Sequence, residues 1–136
     1  MYSYEDLDVG QQQELNKTLS EADIDAFAHA SGDRNPIHLD REYAQAQGFK
    51  DRIAHGMLLA SWISAMLAER LPGPGTVYLR QGLEFRRPAL PGDSLKISLT
   101  IAEKRRRGRV LIDCLISNQD GEEIVRGEAE VIAPAG

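Results

Sequence analysis

Asp33 and His38 stand five positions apart around Arg34-Asn35-Pro36-Ile37, and Gly56 follows His55 at the head of a long apolar run. A carboxylate beside an imidazole is a pair for acid/base work, and a glycine N–H at a helix start is a donor for a developing oxyanion. Together they suit proton transfer on a bound carbonyl compound. Taken singly, Asp33 reads as a turn carboxylate binding nearby amides and His38 as a structural histidine. The joint pattern is what points to chemistry. His55 reads as a residue that orients the turn through a backbone hydrogen bond. His29, His38 and His55 are all the histidines of the chain. No two have the close spacing of a ligand motif and His29 falls on a far face, so no metal site is expected.

These groups need elements to hold them. A first strand is expected around Gln13 to Leu19, and Ser20-Glu21-Ala22-Asp23 then supplies a hydroxyl cap and an acidic first turn for a helix to about Ala30. Ile24, Phe27, Ala28 and Ser31 share one face of that helix, which turns Asp25 and His29 away. Gly32 ends it, and Pro36 disfavours helical backbone at Asn35, so Asp33 to His38 reads as a stiffened loop. Asp40 caps a short helix, Arg41 to Gln47, which Gly48 terminates.

From Gly56 to about Glu69 the chain is apolar on nearly every side, so this helix is expected to be buried all round, with Ala60, Ser64 and Ala68 as a small-residue stripe that permits close approach. Leu71-Pro72-Gly73-Pro74-Gly75 breaks it. Alternating patterns then mark strands at about Thr76 to Arg86, Ser94 to Lys104, Arg109 to Asn118 and Glu122 to Ile132. The short links between them imply antiparallel neighbours. A helix-rich first half and a strand-rich second half make an α+β protein.

With 136 residues, 42% of them hydrophobic and 27% charged, the chain has the size and balance of one globular domain, expected to run over 1–136. Met1-Tyr2-Ser3-Tyr4-Glu5-Asp6 lacks the features of a signal peptide, and the apolar stretch Met57 to Ala68 is too short to span a bilayer. No membrane partner is expected, and the cytoplasm is the default location. A net charge of −5 argues against nucleic acid, so Arg105-Arg106-Arg107-Gly108-Arg109 reads as a charged hairpin tip. Its other use, or that of Arg80, Arg86 and Arg87, is to hold the phosphates of an anionic ligand. Cys114 is the single cysteine, placed within an apolar alternation, so no intramolecular disulfide forms.

Phe27-Ala28-His29-Ala30-Ser31-Gly32-Asp33-Arg34-Asn35-Pro36-Ile37-His38-Leu39-Asp40, with Ala44 and Ile53-Ala54-His55-Gly56-Met57-Leu58, resembles the hydratase-2 motif of MaoC-like proteins. Within that family it is similar to the short (R)-specific enoyl-CoA hydratases that supply polyhydroxyalkanoate precursors. The resemblance continues through Val77-Tyr78-Leu79-Arg80-Gln81, Phe85-Arg86-Arg87-Pro88 and Pro91-Gly92-Asp93. It implies a hot-dog fold, a long central helix wrapped by a curved antiparallel sheet, working as a homodimer. It also implies hydration of trans-2-enoyl-CoA to (R)-3-hydroxyacyl-CoA without metal or bound cofactor, acyl-CoA being the substrate.

Asp33 and His38 would then grip the reacting water, with Gly56 N–H donating to the thioester oxygen. The resemblance gives Ser64 a hydrogen-bonding role in the pocket, against the alternative of bonding back to its own helix, and makes Leu67 the acyl-end residue that limits chain length. The rival expectations are a dehydratase for 3-hydroxyacyl groups on acyl carrier protein and a non-catalytic acyl-thioester-binding module.

Overall fold

Ser20 Oγ accepts from the Asp23 N–H at 3.1 Å while Asp23 Oδ2 accepts from the Ser20 N–H at 3.0 Å, and this reciprocal cap starts helix α1 (Glu21–Ser31) where the sequence marks it. The computed structural model describes residues 1–136. Gly32, at φ 79°, closes α1 in the left-handed conformation that a side chain resists. Before it runs β1 (Gln12–Thr18), and after it come α2 (Pro36–Leu39), α3 (Arg41–Ala46) and α4 (Gly56–Glu69). The strands β2 (Val77–Phe85), β3 (Ser94–Lys104), β4 (Arg109–Ser117) and β5 (Glu123–Ile132) complete the chain.

All pairings are antiparallel, in the order β1-β3-β4-β5-β2. Ile63, Met66 and Leu67 of α4 pack into one core with Leu99, Ile101, Ile112 and Val131 of the sheet. Each such side chain contributes about 1.5–3 kcal/mol on leaving water. A single long helix held by a curved antiparallel sheet is the hot-dog architecture.

Three expectations need correction. Residues 33–38 are not all loop: Asn35 is extended, as a residue before proline should be, but its side chain accepts from the Ile37 N–H at 3.3 Å and Pro36 opens the one-turn helix α2. His38 therefore rides on a helical turn. Second, α4 is not buried all round. The sheet covers it from one side only, and Met57, Ser61, Ala65 and Ala68 are exposed.

Third, β2 and β3 are not neighbours. Segment 86–93, containing Pro88 and Pro91, carries the chain from one edge of the sheet to β3, which pairs with β1 and β4 instead. On the way the Ala89 carbonyl accepts from the Ala54 N–H at 2.9 Å. That crossing lays residues 85–89 along the segment leading into α4, and β2 is left as an edge strand.

Candidate active site

The backbone around Asp33 is held on every side. Its N–H donates to Ser31 Oγ at 3.0 Å, its carbonyl accepts from His55 Nε2 at 3.0 Å, and its Oδ1 accepts from the Asn35 N–H at 3.2 Å. Oδ2 is left facing His38 Nε2, 4.0 Å away. The His38 ring is fixed from its other nitrogen, because a carbonyl can only accept: Nδ1–H donates to the Ile53 oxygen at 2.8 Å. In the neutral ring Nε2 is therefore the bare nitrogen, aimed at Asp33.

A gap of 4.0 Å is too long for a direct hydrogen bond. One water oxygen about 2.8 Å from each atom spans it with an angle near 90°, so the pair is built to share a solvent molecule. Burial, foremost, and the neighbouring His55 ring hold the His38 imidazole below the ordinary histidine value, against the upward pull of the Ile53 carbonyl and Asp33.

His55 does what its position beside Gly56 suggested: its hydrogen bond to the Asp33 carbonyl orients the turn. It also stacks on His38 with ring centroids 3.8 Å apart and packs against Phe27 at 4.9 Å. The fold thus gathers a set that sequence spacing did not show. Asp33, His38 and His55 offer ligand atoms within 4.8 Å of one another, while His29 is exposed elsewhere. The set has donor chemistry for a divalent ion, yet His38 Nδ1 and His55 Nε2 are already committed to carbonyls. The 4.0 Å between Asp33 Oδ2 and His38 Nε2 also exceeds the roughly 3.4 Å that a tetrahedral ion sets between its ligands.

Arg52 escaped the sequence reading. Its guanidinium is buried, donating from Nε to the His38 carbonyl at 2.7 Å, from Nη1 to Glu21 at 3.1 Å and from Nη2 to Asp25. It ties α1 to the turn that carries His38. An arginine between Asp51 and Ile53 reads as surface charge, and only the folded path of 51–54 beside α2 reveals it.

The amide end of α4 is open. His55, at the capping position, offers no side-chain cap, and the N–H groups of Gly56 and Met57 make no backbone hydrogen bond. These donors sit at the positive end of a fourteen-residue helix, and Gly56 and Met57 line, with Asp33 and His38, a cleft of about 410 Å³. The need for glycine has a structural source as well: a Cβ at residue 56 would lie 2.7 Å from the Phe85 ring. Phe85, Pro88 and Ala89 form the facing wall, delivered by the crossing segment.

The remaining expected residues lie farther off. Ser64 lines a neighbouring apolar groove, not the dyad cleft, and makes no hydrogen bond to Asp33. Leu67 is in the core at 1% exposure and lines neither cleft. Arg86 is paired with Glu84 and Glu123, and Arg87, on the cleft rim, with Glu122 at 3.0 Å. The hairpin arginines flank a larger cleft of about 570 Å³ with no apolar wall. They sit beside Ile132, the partner of Val77, whereas Phe85 pairs with Val125, so about 23 Å of strand separates them from the dyad end. Cys114 is buried, which pushes its thiol up to about 11 and leaves it unreactive.

Comparison with known proteins agrees with this geometry. Residues 5–118 match the family model described as a MaoC like domain. The (R)-specific enoyl-CoA hydratase of Rhodospirillum rubrum is 42% identical over 135 residues, covering 99% of this chain and 94% of the relative. The mitochondrial 3-hydroxyacyl-[acyl-carrier-protein] dehydratase of Arabidopsis thaliana is 33% identical, covering 94% of this chain and 78% of the relative. The solved structure of R-hydratase PhaJ1 from Pseudomonas aeruginosa superposes with a TM-score of 0.94 at 49% identity, covering 98% of this chain and 86% of that one. With the motif, the fold and the relatives in agreement, this chain belongs to the MaoC-like family.

Proposed function

We propose that this protein is a hydro-lyase that adds water to trans-2-enoyl-CoA to form (R)-3-hydroxyacyl-CoA, and runs the reverse elimination. The observation that carries the reading is the 4.0 Å gap between Asp33 Oδ2 and His38 Nε2 beside an uncapped helix start. In the forward direction, water held between the two attacks C3 of the enoyl group and gives up a proton to the dyad, with Asp33 as the principal base. The π electrons move to the thioester oxygen, where the Gly56 N–H and the positive end of α4 stabilise the enolate. The enolate then collapses, and the protonated dyad returns a proton to C2 on the same face. No step calls for a cofactor, and Asp33, His38 and Gly56 supply the chemistry.

On this reading the working unit is a homodimer. Val77, Tyr78, Leu79 and Phe85 are exposed on edge strand β2, and a second copy pairing there would cover them. No helix is long and apolar enough to cross a membrane. The cytoplasm, where fatty-acid oxidation intermediates become hydroxyacyl-CoA monomers for polyhydroxyalkanoate, fits the role.

The experiment is to mix the protein with crotonyl-CoA, follow the ultraviolet absorbance of the conjugated enoyl thioester and analyse the product on a chiral phase. Loss of absorbance with (R)-3-hydroxybutyryl-CoA as product supports the proposal. An unchanged spectrum, or the (S) product, rejects it. The similarity to the Arabidopsis dehydratase supports a second reading, elimination on a carrier-linked 3-hydroxyacyl group. Turnover of one acyl chain on CoA and on carrier protein separates the two.

A further inference from the structure

The dyad cleft has two continuations of opposite character. Phe49, Arg87 and Pro88 are shared with a polar cleft that also contains Lys50, Asp93, Asp120 and Glu122. Met57 and Phe85 are shared with an apolar groove of about 490 Å³ between the open side of α4 and β2, reaching Ala60, Ser64 and Leu83. A hydrocarbon tail is therefore matched to the groove and not to the polar cleft. Each methylene moved from water to apolar surroundings is worth about fourfold in affinity.

Phe85 stands on that route. Its ring lies against Gly56, within 2.7 Å of where a Cβ would project, and so sits beside the helix start that faces the thioester oxygen. It is also the last residue of the edge strand and half-exposed within one subunit, so that subunit's own core does not lock the ring in place.

Resting on the hydratase reading, we propose that Phe85 is the specificity-determining residue of this site: its ring, with Met57 beside it, is the partition between the dyad cleft and the groove. A short acyl chain ends against the ring within the dyad cleft. A longer one enters the groove only by displacing the ring. The groove beyond holds the tail, and the bulk of residue 85 sets how readily the chain reaches it.

The test compares kcat/KM for crotonyl-CoA and trans-2-octenoyl-CoA in the parent, Phe85→Ala and Phe85→Trp, with thermal melting and oligomeric state recorded for each. The octenoyl-to-crotonyl ratio is expected to rise about tenfold or more in Phe85→Ala, mainly through KM for the octenoyl substrate, and to fall in Phe85→Trp. If Phe85→Ala does not fold, Phe85→Leu takes its place, with a rise of about threefold or more expected. Ratios within about twofold of the parent in the folded variants overturn the proposal. Failure of the hydratase reading looks different, since the parent then turns over neither thioester.

Discussion

The dyad cleft and the hairpin cleft lie at opposite ends of one sheet, and they treat their polar groups differently. At the hairpin between β3 and β4, Arg105 is paired with Glu103 and Glu130, both at 3.3 Å, and Arg109 lies 3.9 Å from Glu130. Arg106 and Arg107 are exposed to solvent on the hairpin itself, with no frame that aims them at a common point. In the dyad cleft the backbone and one ring nitrogen of each histidine are committed, while Asp33 Oδ2, His38 Nε2 and the N–H groups of Gly56 and Met57 face an open volume. Unused hydrogen-bonding capacity on a rigidly held frame marks the reactive site better than density of charge or size of cleft.

The comparison breaks first at the dyad. Asp33→Asn and His38→Gln are each expected to lower crotonyl-CoA turnover about a hundredfold or more with melting temperatures near the parent's, and normal turnover in either removes the proposed machinery. The frame comes next. Arg52→Met removes the donor to the His38 carbonyl, so kcat is expected to fall about tenfold with KM little changed, since positioning rather than binding is lost. A change confined to KM would place Arg52 outside the frame.

The His38 value, lowered chiefly by burial, sets the pH dependence. The folded protein binds that proton less readily than the unfolded chain, so this contribution to stability is present above about pH 6.5 and is lost as pH falls through the lower folded value. The acid limb of kcat/KM is accordingly expected below pH ~6.5 and should change shape in His38→Gln. A limb above the ordinary histidine value would contradict the assignment.

Leu67→Ala is expected to lower stability by about 2–5 kcal/mol, as truncation of a wholly buried leucine does. Its folded fraction should favour longer acyl chains, by less than the change expected at Phe85, and kcat/KM for eight- to ten-carbon thioesters relative to crotonyl-CoA measures both. The smallest effect belongs to the hairpin: Arg109→Gln is expected to leave crotonyl-CoA kinetics within about twofold of the parent. A KM raised about tenfold or more would instead give the hairpin a part in holding the CoA phosphates.

Local signals carried far. The reciprocal Ser20/Asp23 cap, the Gly32 stop, the Asp40 cap and the alternation of β3 to β5 set element boundaries to within a residue or two, because each acts over one turn or one strand pair. The helical turn at Pro36 was misread because proline stops a helix before itself and starts one at itself, and the residues that follow decide which. The placement of β2 was misread because a link of eight residues is long enough either to turn back or to cross, and nothing in Arg86 to Asp93 says which.

By itself the sequence determined which chemical groups are available and which turns carry them: a carboxylate, an imidazole and a bare amide, each beside its own glycine, proline or helix start. Only the tertiary structure decided how those groups meet. It set the 4.0 Å gap, stacked His55 on His38, brought buried Arg52 to the His38 carbonyl and laid the Phe85 ring on Gly56. The physical reason is range: capping and periodicity are read from residues a few positions apart, whereas the His55, Arg52 and Phe85 contacts join segments 14 to 29 residues distant, and these hold the two sides of the 4.0 Å gap in place.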